Sequence, residues 1–126
     1  SMSTFLQEAL ADVLHLLQSR PGCALVGASG TFEVIDTIVS GELAAAPYSM
    51  FRAEEFYPMY RLMLRQDLEQ RLANPAIPPS RARYIVVAMY LVAFILERVD
   101  HPVSCISAYA MKEGIILEMM DNFRLD

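Results

Sequence analysis

The sequence predicts a helix-rich α/β fold with few, short strands, and three observations predict it. Apolar residues recur at helical spacing over five segments, two short apolar runs are too brief for helices, and glycine or proline marks most of the changes between them. Hydrophobic residues make up 55 % of the 126. That is enough for the core of one domain of ordinary size, and residues 1–126 are expected to form a single module.

Thr4 and Gln7 have capping-box spacing ahead of Phe5, Leu6, Ala9, Leu10, Val13, Leu14 and Leu17, which predicts one amphipathic helix ended by Pro21-Gly22. Residues 23–27 suit a short buried strand. From Thr31, Val34, Ile35, Ile38 and Val39 recur at helical spacing, and Gly41 is the expected stop. The small-residue loop GELAAAP leads to Tyr48–Phe51, a short edge strand. Phe56, Met59, Tyr60, Met63, Leu64, Leu68 and Leu72 mark one face of a long helix, in which Pro58 predicts a late start or a kink.

The NPAIPP stretch breaks the chain. Ser80–Arg98 reads as a central helix, apolar nearly all round and so expected to be covered on several sides. Val103–Ser107 is the second short apolar run, and Met111–Met120 a last helix interrupted by Gly114. So few strands make a poor independent sheet, which predicts a missing neighbour and an exposed apolar surface where it would sit. A second copy, as a dimer or a swapped arrangement, is the expected cover.

Net charge is −5 and the basic residues are scattered, which argues against a nucleic-acid surface. The longest apolar run, Tyr84 to Leu96, is too short to span a bilayer, so no membrane partner is expected. Cys23 and Cys105 lie in short apolar runs and read as free, buried and inert, as in a cytoplasmic chain. The first apolar segment carries Glu8 and Asp12 and does not read as a signal peptide. Ser1 ahead of Met2 reads as a cloning remnant, and the chain as a piece of something longer. His15 and His101 have no ligand at metal spacing, Glu54-Glu55 suit a helix's first turn, and the methionines read as core filler.

The stretch GASG, residues 27–30, lies between an apolar run and a helix. Glycines let a backbone approach an anion, and the first helical N–H groups point outward with the positive end of the dipole. Ser29 and Thr31 add hydroxyls. The plain alternative is a tight turn with Ser29 or Thr31 as N-cap. No Lys follows the second glycine, so this is not a Walker loop. Arg81 and Arg83 fall in the expected first turn of the central helix, where positive charge opposes the dipole and wants a carboxylate or a phosphate.

Two segments together resemble the exopolyphosphatase and guanosine pentaphosphate phosphohydrolase family. ALVGASGTFEVI resembles its second glycine motif. PSRARYIVVAMYLVAFILE, followed by ISAYAMKEGIILEM, resembles its closing segment, a Pro-x-Arg-Ala helix start before a strand and a Ser-Asp-Gly-x-Leu-Arg-Glu-Gly turn. The resemblance implies a partial actin-like (ribonuclease H-like) domain, the C-terminal part of the second of two domains around a cleft. Residue by residue it implies phosphate or ligand contact for Gly27, Ser29, Gly30, Thr31 and Arg81, and a mainly structural role for Glu113-Gly114. No catalytic residue and no metal ligand is implied within this chain.

The chain departs from the family at Val87-Ala88, where Pro-Gly is common. Its closing turn reads Ser107-Ala108-Tyr109-Ala110-Met111-Lys112, so Lys112 keeps a charge without arginine's planar fork, and Tyr109 is expected to crowd the site. The family's first phosphate loop, general-base glutamate and Gly-Gly-Gly-Ser loop belong upstream, and no such stretch occurs here. The resemblance therefore implies a parent enzyme that uses Mg²⁺ on polyphosphate or guanosine pentaphosphate, joined to a missing N-terminal half, and a piece that binds no metal and does not catalyse alone. The alternatives are a degenerate, non-catalytic binding or dimerisation module and a kinase of the same fold group.

Overall fold

A computed structural model describes residues 1–41 and 47–124. The helices are α1 (Met2–Ala9), α2 (Ala11–Ser19), α3 (Gly30–Ser40), α4 (Ala53–Arg65), α5 (Leu68–Leu72), α6 (Ile85–Leu96) and α7 (Met111–Arg124), and the strands β1 (Val26–Ala28), β2 (Tyr48–Arg52) and β3 (Val103–Ser107). The three strands form one sheet in the order β1-β3-β2, with β1 parallel and β2 antiparallel to β3. The edge strand expected at 48–51 and the strand at 103–107 are both present. The loop expected over GELAAAP falls, for residues 42–46, outside the described residues.

Alternation divides the sheet. Gly27, Phe51, Ser104 and Ile106 point inward and are buried, together with Val34 and Ile35 of α3, Phe56, Met59 and Met63 of α4, and Ile85, Met89 and Val92 of α6. Phe56 stacks on Tyr60 at 5.7 Å and tilts against Phe51 at 6.2 Å, joining α4 to β2. Asp36 is buried in α3 and accepts the Ser49 hydroxyl at 2.7 Å, which ties α3 to β2 through a satisfied polar group.

Several elements differ from expectation for visible reasons. The first helix is capped by the Ser1 hydroxyl, which accepts from the Thr4 N–H, and it divides at Leu10 although the N–H of Leu10 still reaches Leu6 and that of Leu14 reaches Leu10. The first strand is Val26–Ala28, later than 23–27, because pairing with Cys105–Ser107 sets its length. The long helix over 56–72 is two: Asp67 and Gln70 form a reciprocal capping box at 2.8 and 2.9 Å that starts α5 afresh. Pro58 neither delays nor ends α4, and it lies on the exposed side.

The central helix begins at Ile85, not Ser80. Pro78 and Pro79 carbonyls accept from Arg81 and Ala82, so residues 79–84 wind as tight turns, and Arg81 and Arg83 precede the helix rather than open it. Nor is that helix covered all round: Tyr84 before it, Val87 and Leu91 stand exposed in one stripe. α7 runs straight through Gly114, with no interruption. Cys23 and Cys105 are free as expected but half-buried; Cys105 faces the sheet's uncovered side, in one row with Val26 and Met50, and Cys23 precedes β1. Among the described residues no helix is long and apolar enough to cross a membrane.

Candidate anion-binding site

The glycine turn sits where strand meets helix. β1 ends at Ala28, Ser29 turns the chain, and the first helical bond of α3 runs from the Glu33 N–H to the Ser29 carbonyl at 3.1 Å. That geometry leaves the N–H groups of Gly30, Thr31 and Phe32 without intrahelical partners. Ser29 holds φ 75° and ψ −172°, a region close to glycine-only, and its hydroxyl makes no cap bond. Thr31 is the second residue of α3 and does not cap it.

The two glycines serve different ends. A Cβ on Gly27 would lie 2.1 Å from the Phe32 ring, so this glycine lets the first turn of α3 fold back on β1. A Cβ on Gly30 would lie 1.8 Å from Cζ of Arg81: the guanidinium rests directly on the helix N-terminus. No ion pair to Arg81 occurs among the described residues, whose pairs are Arg52–Glu54, Arg98–Glu97 and Lys112–Glu113. A cation is thus held against the positive end of a helix dipole, and Glu33, in the first turn of the same helix and lining the same cleft, makes no ion pair with it.

Ser29, Gly30 and Arg81 line one cleft of about 390 Å³ with Glu33, Ala108, Ala110, Met111 and Lys112. The start of α7 therefore faces the start of α3 across it. Thr31 lies on the far side of Arg81, in a smaller cleft with Ser80 and Tyr84. Gly27 is one strand residue further back, beneath Phe32. Tyr109 does not crowd the cleft as expected; it points to a separate apolar groove beside Gly114, Ile116 and Leu117.

Reasoning from residues alone missed Glu33. It lines the cleft, and helical spacing from Gly30 was the signal that could have placed it there. Glu113 accepts the Ala110 N–H at 2.7 Å and closes the N-terminus of α7. That hydrogen bond, opposed by slight desolvation and aided by Lys112, holds its carboxyl below the ordinary 4.5. The donor set does not suit Mg²⁺. No group of three or more potential ligand residues clusters among the described residues, and Glu33 is the one carboxylate lining the cleft.

No protein-family model and no curated protein sequence matches the chain. Solved structures do. An exopolyphosphatase from Cytophaga hutchinsonii superposes with a TM-score of 0.85 at 24 % identity, over 96 % of this chain and 41 % of that one. The type II variant of the Aquifex aeolicus Ppx/GppA phosphatase aligns with a TM-score of 0.76 at 16 % identity, over 92 % of this chain and 39 % of its own. Another structure of the Aquifex aeolicus member of the Ppx/GppA family gives 0.78 at 16 %, over 95 % and 39 %. The chain has the actin-like α/β fold of these phosphatases and spans about two-fifths of their length.

Proposed function

We propose that this chain is the C-terminal piece of an exopolyphosphatase-like phosphohydrolase, in which it supplies one wall of the phosphate cleft. The observation that carries this reading is Arg81. Its guanidinium lies on the first turn of α3 without an ion-pair partner among the described residues, beside three free N–H donors and opposite Lys112. An anion with several oxygens satisfies all of these at once, and planar guanidinium–phosphate bonding gives the contact direction. Inorganic polyphosphate, or the 5′ phosphate of guanosine pentaphosphate, has that chemistry. The parent enzyme is proposed to act in the cytoplasm.

The wall binds and orients; it does not hydrolyse. Phosphoryl transfer needs a positioned water, a base and charge stabilisation on the leaving oxygens. The cleft offers donors for the last of these and only Glu33 as a carboxylate. Mg²⁺, base and attacking water belong, on this reading, to the missing N-terminal half.

Titration of pyrophosphate or short polyphosphate, followed by calorimetry, tests the binding half. Arg81→Ala is expected to weaken binding by about 1–3 kcal/mol, the scale of a charge-assisted hydrogen bond. Equal binding by both proteins overturns the role of Arg81. A phosphate-release assay with Mg²⁺ tests the other half, and turnover by this chain alone overturns the division of labour. A second reading, a non-catalytic module of the same fold, draws on the uncovered apolar surfaces of α6 and α7; an inactive product of the complete reading frame would favour it.

A further inference from the structure

We draw no further inference here: the strongest candidate, the apolar slot that continues the anion cleft along α3 past Gly30 and Glu33 and is walled by Leu72 and residues 74–79, carries nothing, because the chain spans about two-fifths of its solved neighbours and nothing in the structure shows whether a ligand or the part upstream fills it.

Discussion

Along β2 the residues Tyr48, Ser49, Met50, Phe51 and Arg52 alternate between two environments, and β1 and β3 repeat the alternation. On the inner side Phe51 and Ile106 are packed beneath α3, α4 and α6. On the outer side Met50 and Val26, just as apolar, stand in water. α6 shows the same division between Ile85-Met89-Val92 and Val87-Leu91. The inner face needs only this chain to be satisfied. The outer face has a core's composition without a core's neighbours, and burial is a property of the assembly rather than of the residue.

Core truncation should expose the contrast most strongly. Phe56 is fully buried and its ring meets Phe51, Tyr57 and Tyr60. Phe56→Ala is expected to cost about 3–5 kcal/mol in urea unfolding, since a large cavity is left in a rigid setting. Phe5→Ala, on the exposed side of α1, should change stability by less than about 0.5 kcal/mol. Comparable losses would mean that α1 is packed as tightly as α4, and the division would fail.

The two glycines of the turn refine it within a single site. Gly27→Ala drives a methyl into the Phe32 ring, which packs against the core, and should cost about 1–3 kcal/mol. Gly30→Ala meets only the far end of a flexible arginine. Arg81 swings aside, stability changes by less than about 1 kcal/mol, and pyrophosphate affinity falls as it does for Arg81→Ala. Were the stability losses equal, Arg81 would be a structural lid rather than a ligand arm.

The difference between these glycines marks the limit of what the residues alone disclose. The strands expected at 48–51 and 103–107 and the Gly41 stop were legible because alternation, β-branching and a left-handed cap are local. The Asp67–Gln70 box was equally local, but the continuous apolar stripe of 56–72 concealed it. The start of α6 was misplaced because apolar periodicity runs on through Tyr84, whereas Pro78 and Pro79 set the turns. At the site, the strand–glycine–helix order placed Ser29 and Gly30 correctly. That Arg81 lies on Gly30, and that α7 opens opposite, depends on tertiary packing across more than fifty residues, which no local pattern encodes.

Ser29 gives a smaller effect of opposite sign. Its φ of 75° with ψ near 180° costs a residue with a Cβ about 1–3 kcal/mol, and glycine avoids this while losing up to about 1 kcal/mol in unfolded-state entropy. Ser29→Gly should therefore stabilise the fold by roughly 1 kcal/mol. A loss of stability would show that the serine hydroxyl holds the turn after all.

The smallest expected effect separates the two regions by pH. Glu113 is the third residue of α7, and its carboxylate accepts the Ala110 N–H at 2.7 Å, half of a capping box. That bond holds its carboxyl below the ordinary 4.5, so its contribution is fully present above that value and is lost as pH falls through the lowered one. The inner core has no such bond at the start of α6, where no side chain caps the helix. Acidification below pH 4.5 should first lower the protection against amide exchange, taken relative to the intrinsic rate at each pH, at Ala110 and in the first turn of α7 while α6 stays protected. Glu113→Gln keeps an acceptor oxygen but cannot titrate, so its α7 protection should be flat over the same range. Parallel acid profiles for the variant and the wild type would place the titrating group elsewhere, and α7 would then be held by contacts outside this chain's own cap.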